Sequence, residues 1–180
     1  MTSRLSRSPD LARQLELLKP EFRTAVVEVS RALTEAGIPH ALCGGLAVGA
    51  YARPRATEDI DFLVGDEAYV HHGLLVTMNP AFPTRAANIP VDAVPLLPHL
   101  KALEPLLRGA ESSLGVPVVP AVALVAMKLV AGRMKDKSDI VALVESGAVD
   151  VDEARDFLRA YGFERFLETF DALVERAGAE

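Results

Sequence analysis

A single cysteine, Cys43, stands among the 180 residues, so no disulfide can close within the chain and no Cys-x-x-Cys redox or zinc site exists. It lies in the apolar stretch Ala41-Leu42-Cys43, where a small buried hydrophobe is the expectation. Tryptophan is absent and only 3 Tyr and 7 Phe occur, so aliphatic side chains must fill most of any core. Positive charge is in deficit: 19 Lys and Arg against 25 Asp and Glu leave a formal charge of -6. That balance argues against broad, nonspecific nucleic-acid binding, which rests on neutralising phosphates, but it leaves room for one basic cleft on an acidic body.

Long hydrophobic runs are missing too. The richest window, Val116 to Val130, is broken by Pro117 and Pro120 and contains Lys128, well short of a membrane span. The basic start, Met1-Thr2-Ser3-Arg4-Leu5-Ser6-Arg7, leads into no apolar segment of signal-peptide length. The expectation is a cytoplasmic protein with no membrane partner. Repeats and low-complexity segments are also lacking.

Half of the residues are hydrophobic, enough to bury a core without structural metal. Ser8-Pro9-Asp10 reads as a helix start with Ser8 as cap, followed by Leu11, Leu15 and Leu18. A second helix is expected from Pro20 to Ala36, stopped by Gly37. A short buried strand, Ile38 to Cys43, ends at Gly44-Gly45, and Leu46 to Tyr51 reads as a short helix. Glu58 to Val64 alternates as a strand, with Ile60, Phe62 and Val64 on one face and Asp59 and Asp61 on the other. Further strands are expected near Leu74 to Met78 and from Ile89 to Pro95, and a helix over His99 to Leu107. From about residue 120 the pattern is all helix, with Asp150 and Glu153 at capping-box spacing before one of them. The fold class is therefore α+β: a small mixed-sheet lobe with flanking helices, residues 1–119, followed by a C-terminal helical lobe, residues 120–180.

Asp59 and Asp61, two apart on a strand, share a face and can present their carboxylates side by side. In apolar surroundings such anions repel unless a cation lies between them, and Mg²⁺ takes one or two carboxylates together with substrate phosphates. An ordinary half-exposed strand carrying two acids is the competing reading. Asp92, within Ile89-Pro90-Val91-Asp92-Ala93-Val94, adds a third carboxylate if its strand lies beside the first; otherwise it is an exposed edge residue. Gly44-Gly45 between strand and helix lets backbone approach a ligand, or simply makes a tight turn. Lys128, with Leu124 and Ala131 on its helix face, either snorkels outward or enters a cleft, where it can neutralise phosphate. Arg133, Lys135 and Lys137 beside Asp136 and Asp139 make either a solvated corner, with Lys135 and Asp139 paired, or a phosphate contact. Arg53 reaches a phosphate, braces a loop or lies on the surface, and Thr57 can fix the approach to Asp59. His71, His72 and His99 show no metal spacing.

Taken in order, Gly44-Gly45, Arg53, Thr57 and Asp59-Ile60-Asp61 resemble the signature of the DNA-polymerase-beta-like nucleotidyltransferase superfamily. More narrowly they are similar to the nucleotidyltransferase toxins of abortive-infection and toxin–antitoxin systems, a likeness extended by the segment Lys128 to Ile140 with its Lys, Arg and Lys-Asp…Asp pattern. The resemblance implies a small mixed-sheet nucleotidyltransferase lobe and Mg²⁺ held by Asp59, Asp61 and Asp92. It implies an NTP, ATP included, with its triphosphate bordered by Gly44 and Gly45, and contacts from Arg53, Thr57, Arg133 and Lys135. Lys128 would assist departure of pyrophosphate. The implied reaction moves a nucleoside monophosphate to a hydroxyl on RNA such as a tRNA end, on a protein or on a small molecule, with a cognate antitoxin as a partner. The rivals are phosphoryl transfer or phosphodiester hydrolysis, and a noncatalytic regulatory or interaction protein that retains the fold.

Overall fold

Asp10, rather than Ser8, caps the first helix: its side chain accepts from the Arg13 backbone N–H, and α1 runs Leu11–Glu16. The following helix, α2 (Pro20–Glu35), starts with proline at its first turn and buries Phe22, Ala25, Val26, Val29 and Leu33. It stops at Gly37, whose φ of 70° suits a left-handed cap. These elements belong to a computed structural model that describes residues 7–178, so the basic start before Arg7 lies outside the described residues.

The sheet is mixed and six-stranded. Its strands are β1 (His40–Leu42), β2 (Ile60–Val64), β5 (Arg85–Ala86), β6 (Ile89–Pro95), β7 (Glu111–Ser113) and β8 (Val116–Val118), in the order β5-β6-β2-β1-β8-β7. A separate hairpin joins β3 (Tyr69–His72) to β4 (Leu75–Met78). Central strand β2 pairs antiparallel with β1 and parallel with β6. It is shorter than the sequence pattern suggests: Asp59 precedes it. Leu63 is also buried, so both faces of β2 are covered and Asp61 is its one partly exposed residue. Fully burying Phe62 and Ile60 contributes about 2–3 kcal/mol each and holds the strand's register against slippage. Pro90 is tolerated near the start of β6 because its partner there is the two-residue edge strand β5.

Between β1 and β2 lies α3 (Gly44–Tyr51), which begins at the first glycine and not at Leu46. The helix expected at His99 to Leu107 forms as one 3-10 turn, Lys101–Leu103, and then α4 (Glu104–Gly109). Strands β7 and β8 and the β3 arm of the hairpin were not apparent from the sequence pattern. Three or four residues leave too little periodicity to read, and Pro117 masks β8. After Pro120 the chain is helical: α5 (Ala121–Ala131), α6 (Met134–Glu145), α7 (Val151–Ala160) and α8 (Leu167–Gly178). Asp150 caps α7 through the backbone N–H groups of Asp152 and Glu153. The molecule is thus a mixed-sheet lobe flanked by helices, followed by a C-terminal helical region. One continuous core runs from Leu11 of α1 to Phe170 and Leu173 of α8. Among the described residues no helix is long and apolar enough to cross a membrane.

Candidate active site

Parallel pairing of β2 with β6 sets Asp61 opposite Asp92 in register, and Asp59 stands immediately before β2. One carboxylate oxygen from each of the three lies within 4.8 Å of the others. Thr57 Oγ1 donates to Asp59 Oδ1 at 2.9 Å, fixing the carboxylate that no strand hydrogen bond holds. Asp61 rests against Gly44: a Cβ on that glycine would fall 1.8 Å from Asp61 Oδ2, and its φ is 62°. A Cβ on Gly45 would meet Thr57 Oγ1 at 3.0 Å. The glycine pair therefore makes room for Asp61 and for the Thr57 that steadies Asp59, whatever it offers a ligand. Cys43 anchors the same turn, donating its backbone N–H to the Asp61 carbonyl at 2.8 Å, and burial, then the Asp61 charge, pushes its thiol up.

The Asp61 carboxyl is pushed up to about 6, first by burial and then by Asp59 and Asp92, with Lys128 and Lys135 pulling partly the other way. Three hard oxygen donors and no usable soft ligand suit a hard divalent cation, and the mutual repulsion is what such an ion would relieve. The residues fit Mg²⁺.

A second charged cluster faces the first across the same cavity, built by the end of α5 and the start of α6. Asp136, with no exposure, is fully claimed: Oδ1 accepts from Lys128 Nζ at 3.0 Å and Arg133 Nη2 at 3.3 Å, and Oδ2 accepts from Arg133 Nε at 2.7 Å and Arg133 N at 3.2 Å. Burial works to raise its carboxyl, but the hydrogen bonds from Arg133 and Lys128 outweigh that and hold it below the usual range. Lys128 is itself buried, and its ammonium also sits 2.9 Å from Asp139 Oδ2, a charge contact without hydrogen-bond alignment. Burial alone would lower this lysine; Asp139 and Asp136 together raise it. Asp139 Oδ1 accepts from the Arg55 guanidinium.

Arg55 is held from behind. Buried Gln14 of α1 donates its Nε2 to the Arg55 carbonyl at 2.7 Å and accepts from the Arg55 N–H at 2.9 Å. Gln14 fits because position 49 is glycine: a Cβ there would lie 1.9 Å from Gln14 Oε1.

The cavity between the two clusters measures about 510 Å³. Of the residues singled out in the sequence, Gly44, Gly45, Thr57, Asp59, Asp61, Asp92, Lys128, Arg133 and Lys135 all line it. Arg53 does not; it is exposed, and Arg55 occupies the wall in its place. Lys135 lines the cavity without a salt bridge to any described residue, and the i,i+4 pair with Asp139 does not form because Arg55 and Lys128 already claim that carboxylate. His99 reaches the cavity wall, whereas His71 pairs with Asp66 at 3.2 Å on the surface. Arg55, Asp136 and Gln14 were missed as site residues. Asp136 and Asp139, three apart on a helix, carried the one sequence signal, a shared face toward Lys128. Gln14 carried none.

A solved structure of an antigenic nucleotidyltransferase-like protein from Paracoccidioides brasiliensis is distantly similar to this chain, with 16% identity over 71% of this chain and 75% of that one and a TM-score of 0.44. No protein-family model matches the chain. No curated protein matches it significantly either.

Proposed function

We propose that this chain is a nucleotidyltransferase of the DNA-polymerase-beta-like kind, moving a nucleoside monophosphate from an NTP to an acceptor hydroxyl, with a role as a toxin of a toxin–antitoxin pair. The observation that carries the reading is the meeting of Asp59, Asp61 and Asp92 at one end of a cavity whose other wall is cationic. In this reading residues 1–119 form the catalytic lobe and residues 120–180 the helical lobe against it.

Asp59, Asp61 and Asp92 would hold Mg²⁺, which when bound neutralises the phosphates and polarises the reacting phosphoryl group. Thr57 keeps Asp59 aimed, and Gly44 keeps Asp61 from being displaced by its own neighbour. Asp92 is the most exposed of the three, so it is the one able to accept the proton of an incoming acceptor hydroxyl. That oxygen forms a bond to the α-phosphorus as the bond to the bridging oxygen breaks and pyrophosphate leaves. Lys135, without a carboxylate partner, is the base best placed to meet the charge developing on pyrophosphate. Lys128, held by Asp136 and Asp139 in the same cavity wall, supplies a fixed positive charge. Arg133 adds a largely exposed one, with Gly44 and Gly45 on the opposite side of the triphosphate.

The test incubates the protein with each α-labelled NTP, Mg²⁺ and separate pools of RNA, protein and small molecules. Wild type should label one pool and release pyrophosphate, and Asp59→Asn and Asp61→Asn should each lower the rate by ~10²-fold or more with the fold intact. Label transfer that persists in both variants would refute the assignment.

A further inference from the structure

The hairpin β3–β4 stands apart from the six-stranded sheet and pairs with no other strand among the described residues. All four residues of β4 are exposed, and Leu74 at the tip is 106% exposed. The turn is tight: Gly73, with φ of 67°, is the first of two residues between His72 and Leu75. Leu74, Leu75, Val76, Met78 and the nearby Leu97 all protrude, with exposed surface on the order of 500 Å². A two-stranded ribbon with an apolar free edge is marginal in water, and proteins normally blunt such an edge with charge. This one carries no Asp, Glu, Lys or Arg from Tyr69 through Met78, on a chain of net charge -6.

We propose that this hairpin is a self-association surface through which two copies of the chain pair about a twofold axis. Three features favour a second copy over another occupant. Two acidic chains repel except where acids are missing, and the hairpin is such a stretch. Doubling the patch reaches the roughly 1,000 Å² that a specific interface needs. The surface is also self-complementary. A cavity of about 320 Å³ runs along the hairpin, lined by Tyr69, His71, Val76, Leu96 and Leu97 with Asp66 and Lys101 also in its wall, while the tip offers Leu74 as a knob. Antiparallel pairing of β4 with β4 of the second copy puts tip beside base on both sides, so each Leu74 faces the other copy's cavity, as an isologous contact requires.

Sedimentation of the full chain from roughly 1 to 100 µM tests this without reference to any activity. The expected result is a concentration-dependent rise from 19.3 kDa to twice that mass. Leu74→Asp and Val76→Lys, both at exposed positions, should weaken the dimer on the order of 100-fold with an unchanged circular-dichroism spectrum. Leu17→Asp, at an exposed apolar residue of the α1–α2 connection, should leave it intact. A wild-type chain that stays at 19.3 kDa throughout would overturn the proposal and leave the hairpin to a different partner. So would a dimer that survives Leu74→Asp, or one that Leu17→Asp breaks equally.

Discussion

Two carboxylate clusters face each other across one cavity, and they have opposite electrostatic fates. Asp136 and Asp139 are the more deeply buried, yet Lys128, Arg133 and Arg55 neutralise them, and Asp136 titrates below the ordinary range. Asp59, Asp61 and Asp92 are better hydrated, yet around Asp61 burial and its two acidic neighbours outweigh the pull of Lys128 and Lys135, and its carboxyl rises to about 6. Burial alone does not decide whether a carboxylate is comfortable; the supply of donors does. The first cluster is neutralised within the chain. In the second the Asp61 charge is left unrelieved by its neighbours, and in the proposed function a divalent cation would relieve it.

The comparison breaks most visibly at Lys128. Lys128→Met should cost about 3–5 kcal/mol in urea unfolding at pH 7, because it strands Asp136 and Asp139 in the interior. A loss under 1 kcal/mol would mean that Arg133 and Arg55 suffice. Gly44→Ala comes next, at about 2–3 kcal/mol: it forces a side chain onto a left-handed backbone and into the Asp61 carboxylate.

At the acidic cluster the sign reverses. The folded-state pKa of Asp61 lies near 6, above its ordinary 3.8, so the fold favours the protonated carboxyl. That preference contributes fully below about pH 4 and is lost as pH rises through 6. Asp59, Asp92, Lys128 and Lys135 are the charges that face it. The full shift corresponds to about 3 kcal/mol, which partial hydration reduces to about 1–2. Asp61→Asn should therefore stabilise the metal-free protein by about 1–2 kcal/mol at pH 7.5 and leave it unchanged at pH 4. Millimolar Mg²⁺ should raise the melting temperature of wild type at pH 7.5 by a few degrees and much less at pH 5, where Asp61 holds a proton, and calorimetric scans at both values read this directly. The smallest effect belongs to Arg133→Gln. Its side chain is 61% exposed and Lys128 still serves Asp136, so less than about 1 kcal/mol should be lost.

The acidic cluster was legible in the sequence because its chemistry is local: two aspartates two apart, and a third in an apolar strand. That β6 would lie parallel to β2, with Asp92 opposite Asp61, was beyond the pattern, since pairing depends on how the chain between them folds. The buried ion network was half legible. Lys128 announced itself as a charge on an apolar helix face, whereas Asp136 and Asp139 read as part of a solvated corner, because their partnership with it is tertiary. Arg53 and Arg55 flank one proline symmetrically, and nothing local says which turns inward. The choice is made by Gln14, about forty residues earlier, which grips the backbone of Arg55 alone.

That grip ties two distant positions into one unit of inheritance. The Gln14 amide occupies the volume that any β-carbon at position 49 would need, so position 49 cannot gain a side chain while Gln14 keeps its place. Descendants of this chain that gain a side chain at 49 should show a shortened residue at 14 and some other support for the loop that carries Arg55. Chains that keep the long amide should keep the glycine.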